Sequence, residues 1–319
     1  MILAPTTVTE LVEALAGAHA RGEKVTAVQL RSLNRVLEHT PEDMTVTVEA
    51  GITLAVLQGL LARQGQWLPI DPPAAERATI EEILATDASG PRRFGYGTIR
   101  ENLIGIRVAL ADGRVIKAGG KVVKNVAGFD LCKLFVGSRG GLGVIVEATF
   151  KLRPLPEAEQ FVQARCESVE KAGQMVEALL GSDLVPVVLD LHNVSTFNGR
   201  SATNYFVVLG CAGSREEVDW QLAKARMLGL MEPSNLEHEA AFWSEATPDK
   251  PRRLSVLPSK ITSALGKLGE VPFVARAGNG VIYYRGGPEP PQPDLPAALT
   301  QRVKDAYDPK HILPELPLR

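Results

Sequence analysis

Apolar residues recur at helical spacing from the start of the chain. Val8, Leu11, Val12 and Leu15 share one face, and Thr7 with Glu10 forms a T-x-x-E capping box ahead of them, so an opening helix is predicted. A short β segment is expected near 24–30. Thr45-Val46-Thr47-Val48-Glu49 alternates with period two and reads as a strand stopping at Ala50-Gly51. Leu54, Leu57, Leu60 and Leu61 mark a second amphipathic helix, ending near Gly65. The prolines of 67–73 restrict that stretch to extended or turn structure. Residues 104–110 and 114–117 around Asp112-Gly113 read as a hairpin, broken by Gly119-Gly120. A short helix at 131–136 and a long buried strand at 143–152 follow, and Arg153-Pro154-Leu155-Pro156 reads as a boundary. Beyond it, strands near 161–165, 186–191, 205–211, 253–257, 273–276 and 281–284 alternate with helices near 169–180, 214–230, 241 and 295–306. This predicts an α+β domain of antiparallel strands.

The 319 residues fit two domains, and the expected division is 1–153 and 154–319. No run approaches the roughly 18–20 apolar residues of a membrane span, and the first nine residues lack a secretory pattern. Cys132, Cys166 and Cys211 form neither a disulfide framework nor a CxxC site, and they suit a reducing compartment. The five histidines show no metal spacing, so no metal is expected. The net charge of −2 gives no reason to bind nucleic acid. One stretch departs from this balance. Arg92, Arg93, Arg100, Arg107, Arg114, Lys117, Lys121 and Lys124 face only Glu101 and Asp112 between 91 and 125. That is either a solvated face or a cationic wall for an anionic ligand.

Glycine placement carries the chemistry. Gly plus Pro is 51 of 319 residues, about 16%, above the roughly 12% of average usage. Five segments stand in a recognisable order: TVTVEAG (45–51), GQWLPIDPP (65–73), ASGPRRFGYGT (88–98), GGKVVKNVAGFDL (119–131) and KLFVGSRGGLGVIVE (133–147). Together they resemble the PCMH-type FAD-binding domain of vanillyl-alcohol oxidase-type flavoenzymes. KNVAGFDL is similar to the version in the FAD-binding subunit of bacterial glycolate oxidases (GlcE type). The resemblance is strongest over about 45–155, a third of the chain.

It implies an α+β fold: two α/β subdomains binding FAD, the first shortened here, followed by an α+β cap. It implies FAD-linked oxidation of a small 2-hydroxy acid such as glycolate, with a sister FAD-linked catalytic subunit and an iron–sulfur subunit as partners. It places the protein in the cytoplasm, touching the inner membrane only through those partners. Pyrophosphate needs backbone N–H groups at close range, which glycine permits. The implied cofactor-binding residues are Thr79, Ala88, Ser89, Gly90, Arg93, Tyr96, Gly97, Gly143, Val144 and Ile145. Arg92 and Arg93 are candidates for the phosphates, and Arg93 or Lys124 for a substrate carboxylate. No catalytic base is identified, because the matched motifs contain no histidine.

Three motifs depart from the family pattern. No glycine lies between Gly22 and Gly51, where the family has a glycine-rich pyrophosphate loop. The family's Ala-Thr-x-Gly-Gly appears as Ala78-Thr79-Ile80-Glu81-Glu82, which reads as a capping box. A carboxylate about 4 Å from a phosphate costs about 4 kcal/mol at an effective dielectric near 20. Two such contacts would remove most of the roughly 8–12 kcal/mol of a micromolar-to-nanomolar site. The tail runs Asp308-Pro309-Lys310-His311 in place of Asn-Pro-Gly-Arg. Two functions stay open at this level: an FAD-linked oxidoreductase subunit, and a degenerate, flavin-free structural subunit beside a catalytic sister.

Overall fold

A computed structural model describes residues 1–120, 131–194, 204–244, 249–291 and 296–317. The chain forms two compact units. The first comprises Met1–Ser89, Gly97–Leu155 and Gln292–Arg319, and the second Gly90–Tyr96 and Pro156–Pro291. The sequence suggests a single cut at 153/154, whereas both units are discontinuous. The C-terminal segment returns to the first unit, where the Val25 N–H donates to the Ile312 carbonyl at 2.7 Å. Residues 90–96 belong to the second, where the Gly95 N–H donates to the Val187 carbonyl at 3.1 Å.

In the first unit the helix Val8–Arg21 starts as its pattern predicts. Thr7 Oγ1 accepts the Glu10 N–H, and Gly22 ends the helix in the left-handed region at φ 67°. A parallel ribbon joins Ile2–Leu3 to Ala27–Val28. The five-stranded antiparallel sheet runs in the order Val36–Thr40, Thr45–Glu49, Val144–Lys151, Leu103–Ala109, Val115–Gly119. Its central strand is rich in β-branched residues, and five of its eight residues are buried. The apolar faces of the helices Val8–Arg21, Leu54–Ala62 and Ile80–Thr86 join the same core, with Leu11, Leu57, Ile80, Val108 and Phe150 fully buried.

The second unit holds a seven-stranded antiparallel sheet. Its order is Glu232–Ser234, Ala158–Cys166, Tyr205–Gly213, Val188–His192, Phe273–Arg276, Val281–Tyr284, Arg252–Ser255. The helices Val169–Leu180, Arg215–Met227 and Ile261–Leu268 contribute Val176, Leu179, Val218, Leu222 and Leu265 to a core with Leu189, Leu191, Val207 and Leu209. Strand alternation sends Asp190 and His192 to the face opposite Leu189 and Leu191, and all four are buried. Among the described residues no helix is long and apolar enough to cross a membrane.

Candidate functional site

Thr79 is the N-cap of the helix Ile80–Thr86, and the capping box read from the sequence is formed. The Thr79 N–H donates to the Glu82 carboxylate at 2.8 Å, and the Glu82 N–H donates to Thr79 Oγ1 at 3.2 Å. The Ile80 N–H donates to the Ile52 carbonyl at 2.9 Å and the Glu81 N–H to the Ala50 carbonyl at 2.7 Å. Four successive donors, 79 to 82, therefore have acceptors within the protein. Glu81 is partly buried. Desolvation, aided by the Glu82 charge, pushes its carboxyl up to about 7.

The neighbouring surface is closed as well. A Cβ on Gly51 would lie 1.8 Å from the Leu30 carbonyl oxygen and 2.7 Å from that of Leu33. The Gly51 N–H donates to the Leu33 carbonyl, and the Leu33 N–H to the Leu30 carbonyl. Arg35 fastens the same loop, its guanidinium 2.7 Å from the buried Glu49 carboxylate. That hydrogen bond holds Glu49 below the usual carboxylate range, against the effect of burial. The loop lacking glycines thus lies on the strand end at Glu49–Gly51. The residues present do not fit a dinucleotide pyrophosphate at this loop, because its donors and its close-approach glycine are already taken.

Other implied residues of the first unit have structural surroundings. The Ala88 N–H donates to the Ile83 carbonyl at 3.2 Å, and Ser89 is buried. Gly97 has φ 79°, and a Cβ there would meet Glu101 Oε2 at 2.5 Å. Gly143 is packed on the hairpin, with a Cβ position 2.7 Å from Val108 Cγ1. Val144 and Ile145 pair with Ala109 and Val108, and their side chains are buried in the core.

The glycine-rich turn before them is covered. Buried Lys304 donates through Nζ to the Gly141 carbonyl at 2.8 Å, Asp308 Oδ2 at 2.7 Å and the Pro314 carbonyl at 2.8 Å. Asp308 also accepts the Ile312 and Leu313 N–H groups. A Cβ on Gly141 would lie 2.9 Å from the Pro314 carbonyl oxygen. The altered tail therefore lies on the turn that leads into Gly143, Val144 and Ile145, which the resemblance implies as cofactor-binding.

Gly90, Arg93 and Tyr96 fall in the second unit, apart in this division from Thr79, Ala88, Ser89, Gly97, Gly143, Val144 and Ile145. The helix Arg93–Tyr96 holds the Tyr96 N–H on the Arg92 carbonyl at 3.0 Å. Four of the eight basic residues of that stretch are paired with carboxylates. Arg92 pairs with Glu159 at 2.5 Å, Arg100 with Asp87 at 3.7 Å, Arg107 with Glu147, and Arg114 with Asp112 at 2.6 Å. A cationic wall is thus not what these arginines form, since each has a carboxylate partner. Lys121, Lys124 and most of the 119–131 motif lie outside the described residues.

Spacing along the chain missed a buried polar cluster in the second unit. Cross-strand register places Arg276 opposite Asp190, and Arg276 Nη1 donates to Asp190 Oδ2 at 2.6 Å. Glu239 accepts from both terminal nitrogens of Arg276, at 2.6 Å each. His238 Nε2 lies 3.2 Å from Asp190 Oδ2. Burial opposes the charges of Glu239 and Arg276. Their mutual attraction more than offsets it, holding Glu239 low and Arg276 high. Asp190, His238 and Glu239 offer ligand atoms within 4.8 Å of one another, but Arg276 already occupies both carboxylates. No sequence signal pointed to it, because the members come from three separated elements. Cys132, Cys166 and Cys211 are buried thiols outside any disulfide, and burial pushes Cys211 up to about 11.

Comparison with known proteins adds relatives to this geometry. Residues 14–119, a third of the chain, match a family described as FAD binding domain. Over 160 residues the chain is 36% identical to the glycolate oxidase subunit GlcD of Bacillus subtilis, covering 50% of this chain and 34% of that protein. Over 151 residues it is 33% identical to the glycolate oxidase subunit GlcE of Escherichia coli, covering 47% and 43%. Over 132 residues it is 40% identical to a D-lactate dehydrogenase of Archaeoglobus fulgidus, covering 41% and 28%. The chain spans less than half the length of these curated relatives. Alkyldihydroxyacetonephosphate synthase superposes with a TM-score of 0.72 at 16% identity, covering 98% of this chain and 76% of that one. The fold is therefore an α+β PCMH-type FAD-binding fold with an additional sheet, and up to half of the chain is related to the glycolate oxidase and D-lactate dehydrogenase proteins.

Proposed function

We propose that this chain is a subunit of an FAD-linked 2-hydroxy-acid oxidoreductase complex of the glycolate oxidase kind. In it the chain serves as a flavin-free scaffold, beside a sister FAD-linked subunit that carries catalysis and an iron–sulfur subunit. The relatives support the complex, since two of them are glycolate oxidase subunits. One observation carries the scaffold role: the four N–H groups of 79–82 all donate to acceptors of the protein itself. A phosphate arriving there finds no donor and meets Glu82.

The visible absorption spectrum of the purified chain tests this. The chain is expected to be colourless and to stay so after incubation with FAD. A flavin band, released as FAD on denaturation, overturns the scaffold role. The variant Glu81→Gly/Glu82→Gly is expected to take up more FAD than the parent, because it frees the Thr79 donor and removes two carboxylates. Purification with the neighbouring subunits tests the complex, with iron and flavin in the pulled-down fraction as the expected result. A second reading, in which the chain holds FAD itself, is favoured by the family match over 14–119. The spectrum separates the two.

A further inference from the structure

We infer that the second unit binds a small neutral molecule carrying several hydroxyl groups, in a cavity where His192 and His238 receive one hydroxyl between them. The cavity measures about 520 Å³, and its lining includes Gln163, His192, Asn204, Phe206, Ser234 and His238. That volume falls within the roughly 300–1,000 Å³ typical of small-molecule sites. His192 and His238 are 5% and 3% exposed, and their rings stack in parallel with centroids 4.3 Å apart.

Hydrogen bonding fixes the role of each ring. Asp190 is paired with Arg276, so its carboxylate only accepts. His238 Nε2, 3.2 Å from that carboxylate, therefore carries the proton, which leaves Nδ1 as an acceptor. His192 has the opposite arrangement. Its Nδ1 accepts the Val194 N–H at 3.2 Å. Burial and the neighbouring His238 hold it well below the ordinary histidine range, so the ring is neutral with its proton on Nε2. Neither His238 Nδ1 nor His192 Nε2 has a partner among the described residues. Neither is among the sealed, unpartnered atoms of the described residues, and both rings line the cavity. An acceptor and a donor thus stand side by side. A hydroxyl group satisfies both at once, because it donates one hydrogen bond and accepts others.

The remaining lining fits the same class. Asn204 accepts from Arg165 through its amide oxygen and Asn235 from the Glu237 N–H, leaving two amide NH₂ groups as donors. The Ser234 hydroxyl donates to Gln163 at 2.8 Å and keeps its acceptor capacity. Phe206, stacked on His192, supplies an apolar face. Among the described lining residues there is no lysine or arginine, and Glu237 is present. A carboxylate or phosphate therefore finds no counter-charge among them. The inference does not depend on the complex role proposed above, whose substrate is an anion.

The test uses the full chain labelled with ¹⁵N-histidine and observed by NMR. The free protein is expected to show the His192 ring neutral with its proton on Nε2, and the His238 ring protonated at Nε2. Glycerol, myo-inositol and D-glucose are titrated, with glycolate as the anionic probe. At least one polyol is expected to move the signals of both histidines saturably. His238→Gln and Asn204→Ala are each expected to weaken that binding about tenfold, the loss of roughly one buried hydrogen bond. Asn204→Ala leaves the buried cluster intact and so keeps the test sound if His238→Gln fails to fold. The inference is overturned if no polyol moves the histidine signals. Equally, it fails if glycolate moves them while the polyols do not, or if Asn204→Ala leaves the affinity unchanged.

Discussion

Glu81 is the side chain whose ionisation works against the fold. It follows an N-cap and its own N–H is bonded to the Ala50 carbonyl, yet its carboxyl has no cation to pair with among the described residues and is pushed up to about 7. Its pKa is raised above the ordinary 4.5, so the neutral form belongs to the folded state. Its stabilising share is complete below 4.5 and is lost as pH rises through about 7. Glu81→Gln is therefore expected to match the parent near pH 5 and to exceed it by up to about 3 kcal/mol near pH 8, in urea unfolding at the two pH values. Equal stabilities at the higher pH would show that solvent reaches the carboxyl. At this scale the sequence was informative about Thr79 and Glu82, since a capping box is a three-residue rule. It was silent about His192 and His238, since His238 meets Asp190 48 positions away along the chain and Asp190 in turn meets Arg276 86 positions away.

Elements with strong periodicity were legible. The helices Val8–Arg21, Val169–Leu180 and Arg215–Met227 and the strands Thr45–Glu49 and Val144–Lys151 form where apolar spacing places them. Those without it were not. Val36–Thr40 reads VLEHT and pairs at the sheet edge, and Glu232–Ser234 contains a proline. Edge strands face solvent and need no alternation, so no pattern marks them. The helix Ile80–Thr86 shows what a loop gains by becoming an ordinary helix start. Thr79→Ala removes one half of its capping box and is expected to cost about 1 kcal/mol of stability, measured by thermal unfolding. Amide exchange should then quicken at Glu82, whose N–H loses its acceptor. Unchanged exchange there would mean that the cap contributes nothing. The same locality explains why the basic stretch stayed open between two readings: a count of charges along the chain does not contain the carboxylates of Glu147 and Glu159 that meet Arg107 and Arg92.

The units are assembled from interrupted stretches of chain. Composition suggested two domains, and two compact units exist, but the tail 296–317 belongs with the beginning of the chain. No periodic signal announces this, because it rests on Lys304, a buried cation held by three carbonyl groups and Asp308. Lys304→Met removes that cation and leaves the Asp308 carboxylate without its charge partner. A loss of about 3 kcal/mol is expected, confined to the first unit. Hydrogen exchange resolved by peptide is the measurement, with protection falling near residues 25, 141 and 312 while the sheet of 158–284 is unaffected. An equal loss in both units would overturn that confinement. The tail also imposes an order on synthesis. A ribosome delivers 156–291 before 304–314, so the whole second unit emerges while the first still lacks its last strap. The glycine turn at 140–143 must wait, uncovered, until some 160 further residues have been made, and in that interval a chaperone has a defined nascent surface to hold.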